Sequence, residues 1–91
     1  MRIPDAVIQE ILDKLDVVGF VGNYVALQKK GSRWFGLSPF KAEKTPSFTV
    51  DPDKGLYYDF ATSKGGSVFN LVMELDGLTF PEAVRRVAAA A

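Results

Sequence analysis

Apolar residues recur at helical spacing near both ends of the chain and at strand spacing in its middle. Val7, Ile8, Ile11, Leu12 and Leu15 mark one face of a helix. Pro4 suits a first helical turn and Asp5 favours its positive end, so a helix is predicted over about Pro4 to Leu15. Asp16 can cap a short helical turn over Val17 to Val21, with Gly22 and Asn23 as left-handed stop residues. Tyr24 to Leu27 is rich in β-formers, Gly31-Ser32 makes a turn, and Arg33 to Leu37 reads as an aromatic strand pairing back as a hairpin that Pro39 ends.

Ser47 to Val50 and Gly55 to Phe60 read as two further strands, joined by the turn formers of Asp51-Pro52-Asp53-Lys54-Gly55. Ser63 to Gly66 is expected as a polar loop and Ser67 as an N-cap. The helix that follows carries Val68, Leu71, Val72 and Leu75 on one face and ends near Gly77. Thr79 and Glu82 have capping-box spacing at the head of a last helix, whose apolar face is Phe80, Ala83, Val84, Val87 and Ala88. The expected class is α+β, an antiparallel sheet of four to five strands flanked by N- and C-terminal helices.

A chain of 91 residues holds one small domain with a marginal core, so 1–91 is read as a single unit. The closing run of alanines carries no helix stop signal and suggests an excised piece of a longer protein. No apolar run approaches the ~20 residues that span a bilayer, and the N-terminus lacks the basic and apolar regions of a targeting signal. The expectation is therefore a cytoplasmic protein with no membrane partner. There is no cysteine and no histidine, which removes disulfides, the commonest metal ligands and the usual general base. Eleven basic residues balance eleven acidic ones. The balance hides a segregation: between Gln28 and Lys64, Lys29, Lys30, Arg33, Lys41, Lys44, Lys54 and Lys64 stand against only Glu43, Asp51, Asp53 and Asp59.

That basic middle also carries aromatics. Basic side chains that track phosphates and aromatic faces that stack bases are what single-stranded nucleic acid requires. Lys29, Lys30, Arg33, Trp34, Phe35, Lys44, Lys54, Tyr57, Tyr58 and Lys64 supply both kinds. Strand periodicity limits the set, because only one member of Trp34/Phe35 and one of Tyr57/Tyr58 can face outward while the other packs. The competing reading is a solvated basic face over an ordinary core. No catalytic arrangement is visible, and Asp13/Asp16 and Asp51/Asp53 fit helix-end and turn duties. Lys64-Gly65-Gly66-Ser67 before a helix is the one stretch that could hold a phosphate at a helix N-terminus.

Residues 37–50 read L-S-P-F-K-A-E-K-T-P-S-F-T-V. This resembles C-P-F-H-x-E-K-T-P-S-F, the opening of the zinc-ribbon (CHC2-type) domain at the N-terminus of bacterial DNA primases, in which the first Cys and the His are zinc ligands. Leu56 to Ser67, L-Y-Y-D-F-A-T-S-K-G-G-S, resembles that family's F-Y-H-C-F-G-C-G-A-x-G-N. The four ligand positions are thus Ser38, Lys41, Asp59 and Thr62. Hydroxyls, an ammonium and a single carboxylate do not make a tetrahedral zinc site, so no zinc and no cofactor is expected. Lys41 and Asp59 either pair across the vacated site, with Ser38 and Thr62 adding hydrogen bonds, or both point into water. The resemblance also implies template recognition by the E-K-T-P-S-F loop and adjoining sheet, which adds Ser47 to Lys44 as candidate contacts.

The expectation is therefore a metal-free, zinc-ribbon-like domain that grips single-stranded DNA template and helps choose where RNA primer synthesis starts. The candidate contacts are Lys29, Lys30, Arg33, Trp34, Lys44, Ser47, Lys54, Tyr57 and Lys64. What the resemblance implies beyond this chain is a primase polymerase domain using Mg²⁺ and a replicative helicase reached through the full-length protein. The chain by itself shows no catalytic site. The alternative is an interaction or dimerisation module that docks on the polymerase domain through its aromatic sheet face, without touching DNA.

Overall fold

The computed structural model describes residues 3–42 and 44–91, so Met1 and Arg2 at the start of the chain and Glu43 of the E-K-T-P-S-F stretch lie outside the described residues. Helices α1 (Asp5–Lys14) and α2 (Val17–Val21) precede strands β1 (Gln28–Lys30), β2 (Arg33–Gly36), β3 (Phe48–Asp51), β4 (Leu56–Asp59) and β5 (Lys64–Ser67). Helices α3 (Val68–Asp76) and α4 (Phe80–Ala90) complete the order. The five strands form one sheet in chain order, each antiparallel to the next, so every connection is local.

One face of the meander carries the core. Phe48 and Val50 of β3 and Tyr57 of β4 meet Val68, Phe69, Leu71 and Val72 of α3, behind which lie Ala83, Val84 and Val87 of α4. Val17, Phe20, Val21 and Val25 close the same core from the N-terminal side. The Ser67 and Thr79 caps form as the sequence predicts: each hydroxyl accepts the backbone N–H three residues on, and Asn70 and Glu82 reach back to the cap N–H groups. Gly77 ends α3 in the left-handed conformation. None of the α1 residues is fully buried, although Ile8, Ile11 and Leu12 pack against the core and Leu15, just past its end, is inside it.

Three sequence expectations are corrected. Gly22 is right-handed (φ −58°, ψ −20°) and Asn23 does not take positive φ. The chain leaves α2 through successive tight turns, the amides of Gly22, Asn23, Tyr24 and Val25 bonding to carbonyls of Val18, Phe20, Val21 and Val21. Tyr24 to Leu27 is not a strand: it presses against the end of β2 so closely that a Cβ on Gly36 would come within 2.6 Å of Ala26 O and Val25 Cγ1, and pairing begins only at Gln28. Finally, Lys64 to Ser67 is not a loop but the edge strand β5, paired in full with Leu56 to Asp59. Two central glycines argued against a strand there, and the open hydrogen-bonding groups of β4 outweighed them.

Candidate nucleic-acid interface

Residues directly opposite one another in an antiparallel pair share a face, so the register sorts every candidate. The rung Lys29, Trp34, Val50, Tyr57, Gly66 belongs to the core face, as do Gly36, Phe48, Asp59 and Lys64. The rungs Gln28, Phe35, Thr49, Tyr58, Gly65 and Lys30, Arg33 with Asp51, Leu56, Ser67 belong to the other face. All of the buried apolar strand residues lie on the first face, against α3 and α4. The second carries Tyr58 (39% exposed), Leu56 (44%) and, just beyond β4, Phe60 (66%).

This outer face is an aromatic strip with cations at one edge. The Tyr58 and Phe60 rings meet edge to face with centroids 4.7 Å apart. Lys30 Nζ stands 6.0 Å from the centre of the Phe35 ring, and Arg33 is the cross-strand neighbour of Lys30. Thr49 lies between Phe35 and Tyr58, nearly buried, its hydroxyl donating to Tyr58 O at 3.1 Å.

Of the sequence-named candidates, Lys30 and Arg33 fall on this face and Lys44 is exposed in the loop between β2 and β3. Lys54 is exposed at the β3–β4 turn, whose Gly55 lies against Leu12 of α1. Lys29 is exposed but on the opposite side of the sheet from Lys30. Lys64 reaches over the Phe40 ring (5.2 Å) and pairs with Glu74 at 3.2 Å. Ser47 has a buried Oγ without a hydrogen-bond partner.

Two aromatic assignments are corrected. Tyr57 is the inward member of its pair, 6% exposed and stacked on Phe48 at 5.6 Å, so its ring has no free face for a base. Burial, followed by the charges of Glu74 and Asp59, holds its phenol above the usual tyrosine range. Trp34 likewise sits on the core face, half-buried against the core. Their neighbours Tyr58, which is exposed, and Phe35, which is half-buried like Trp34, lie on the other face. Phe60 and Leu56 were absent from the sequence-derived set, although they share parity with Tyr58 and that parity was legible.

The four vacated ligand positions come together at one end of the sheet. Asp59 is fully buried, and its Oδ2 accepts from Ser38 Oγ at 2.7 Å and Thr62 Oγ1 at 2.6 Å. Ser38 Oγ in turn accepts the backbone N–H of Phe40 (3.1 Å) and Lys41 (3.2 Å). Asp59 Oδ1 has no hydrogen-bond partner. Lys41 is exposed, and the carboxyl group is taken by hydroxyls rather than by its ammonium, which corrects the expected Lys41–Asp59 pair. The idea that both charges face water fails as well, because Asp59 is wholly inside. The donor set does not fit zinc: it offers one carboxyl group whose better-placed oxygen is already bonded twice, and no thiolate or imidazole. Among the described residues, no grouping of three His, Cys, Asp or Glu could hold a metal ion.

A groove of about 550 Å³ lies between the sheet and α3, lined in part by Tyr57, Ser63, Lys64, Asn70 and Glu74. The Lys64–Glu74 ion pair satisfies its two charged residues with each other.

Residues 3–91 match the CHC2 zinc finger family. The chain is 51% identical over 87 residues to the DNA primase of Listeria monocytogenes, covering 96% of this chain and 14% of that protein. It is 43% identical over 90 residues to the DNA primase of Geobacillus stearothermophilus, covering 99% and 15%. The crystal structure of the Aquifex aeolicus primase, comprising zinc-binding and RNA polymerase domains, superposes with a TM-score of 0.80 at 30% identity over 91% of this chain and 21% of that one. The chain therefore spans only 14–15% of the length of the Listeria and Geobacillus primases.

Proposed function

This chain belongs to the CHC2 zinc finger family, and we propose that it serves as the N-terminal template-binding domain of a longer DNA primase, gripping single-stranded DNA with the uncovered face of its sheet. The observation that carries this reading is the placement of Phe35, Tyr58 and Phe60 on the strand face opposite the one that carries the buried apolar strand residues, with Lys30 and Arg33 at its edge. Bases stack on the rings while the cations follow the phosphates. Lys44, exposed in the loop leading from the other end of β2 to β3, adds a further cation. Primer synthesis itself, with its Mg²⁺, belongs to a polymerase domain outside this chain, and contact with a replicative helicase runs through the full-length protein. No helix of the described residues is long and apolar enough to cross a membrane; a cytoplasmic setting is part of the proposal.

A second reading has its own support. Leu37 (49% exposed) and Leu56 (44% exposed) add apolar surface beyond what base stacking needs, as a docking face for the polymerase domain would. Titrating labelled single-stranded oligonucleotides at two salt concentrations separates the two. Template binding requires affinity that falls steeply with salt and weakens in Tyr58→Ala. Absence of salt-dependent binding even at high protein concentration, with Tyr58→Ala instead disrupting a homodimer or a complex with a polymerase domain, would replace it by the docking reading.

A further inference from the structure

A family named for a zinc finger is represented here by a chain with neither cysteine nor histidine. Small metal ribbons draw much of their folding free energy from the ion that ties two turns together. In this chain the same two turns are tied by side chains. Ser38 belongs to the connection between β2 and β3, Asp59 ends β4, and Thr62 lies in the turn between β4 and β5. The Ser38–Asp59 bond spans 21 residues of sequence and the Thr62–Asp59 bond three.

We infer that Ser38, Asp59 and Thr62 form a hydrogen-bonded clasp that replaces the family's zinc as the cross-link between these turns, leaving the fold independent of metal. The three groups are matched to that task. Ser38 uses its one O–H on Asp59 and both lone pairs on the amides of Phe40 and Lys41, so the hydroxyl orders its own turn and anchors it to β4 at once. Thr62 donates its single O–H to the same carboxyl oxygen from the turn between β4 and β5. Asp59 is wholly removed from water, where hydrogen bonds to a carboxyl group gain strength and where losing them leaves a buried polar group uncompensated. Phe40, on the Ser38 turn, lies 6.1 Å from the Tyr57 ring and beneath the Lys64 ammonium, further contacts between that turn and strands β4 and β5.

The test uses the full chain with zinc ion and a chelator as probes. Wild type should contain no stoichiometric zinc by elemental analysis, and chelator should leave its melting temperature unmoved. Ser38→Ala and Thr62→Ala should each lower the folding equilibrium constant roughly ten- to hundredfold. In a double-mutant cycle with Asp59→Ala, the Ser38→Ala effect should shrink to what the lost bonds from the Phe40 and Lys41 amides leave, so that the two substitutions are clearly non-additive. Should Asp59→Ala fail to fold, the chain carrying Ser38→Cys, Lys41→His, Asp59→Cys and Thr62→Cys decides: it should bind one zinc ion and melt earlier on chelation, because the clasp occupies the place of the metal. Stoichiometric zinc in wild type with melting on chelation, additive Ser38→Ala and Asp59→Ala effects, or a four-fold variant that folds without taking up zinc would each overturn the inference.

Discussion

The Tyr58 ring lies across Gly65, its cross-strand partner in β5, so closely that a Cβ on Gly65 would stand 2.7 Å from Tyr58 Cδ1. The glycine that weakens β5 as a strand is what lets the ring lie down on the outer face and meet Phe60. Gly65→Ala should push the ring off the sheet and destabilise the fold by about 1–3 kcal/mol. Chemical denaturation would measure the loss, and the ring-proton shifts of Tyr58 and Phe60 would report the displacement. Unchanged shifts would show that the ring does not depend on the missing Cβ.

The outer face should fail in two distinguishable ways. Tyr58→Ala or Phe60→Ala should lower single-strand affinity by ~1–3 kcal/mol at every salt concentration. Lys30→Ala or Arg33→Ala should each reduce the magnitude of the salt slope by about 0.7. Lys29→Ala, across the sheet, should leave both quantities alone. Fluorescence anisotropy over a salt series reads all of these, and a Lys29→Ala effect equal to that of Lys30→Ala would argue against a one-sided interface.

Alkaline stability should depend on Tyr57. Its raised pKa, caused first by burial and then by Glu74 and Asp59, means the folded state favours the neutral phenol. That contribution is complete below the ordinary tyrosine value and is lost as pH rises through the folded one. Tyr57→Phe should therefore flatten the fall in stability as pH rises above about 10, the ordinary tyrosine value, measured by urea unfolding. An unchanged alkaline limb would contradict the burial argument.

Acid stability should depend on the α4 cap. The backbone N–H of Thr79, 2.9 Å from Glu82 Oε1, and then the Thr79 side chain hold the Glu82 carboxyl below its usual range. A lowered carboxyl pKa contributes stability above the unfolded value that disappears as pH falls through the folded one. Glu82→Gln keeps an oxygen for the Thr79 N–H and should make stability less steep between about pH 5 and about pH 3. Thr79→Ala removes the hydroxyl from the Glu82 amide and should cost about 1 kcal/mol at neutral pH. Helix content and denaturation midpoints across pH would test both.

Helices α3 and α4 were legible because their signals are local: Ser67, Thr79 and Glu82 act within one turn, and Gly77 stops α3 by its own backbone. The same locality made the Gly31-Ser32 turn before β2 and the β3–β4 turn readable, though not the strand that pairs with β2. Tyr24 to Leu27 and Lys64 to Ser67 were misread because their states depend on neighbours distant in sequence, Gly36 for the first and Leu56 to Asp59 for the second. Lys41–Asp59 pairing was a reasonable electrostatic expectation that hydroxyl donors nearer the buried carboxyl group displaced.

The sequence by itself carried the family resemblance in its E-K-T-P-S-F motif, and its residue types settled the absence of every thiolate and imidazole and the presence of both basic and aromatic side chains in the middle of the chain. Which side of the sheet each one faces was a tertiary decision. Tyr57 and Tyr58 have the same chemistry and neighbouring positions, yet packing of α3 on one face buries the first and leaves the second in water. Strand parity only says that neighbours must differ; the helices decide which of them goes inside.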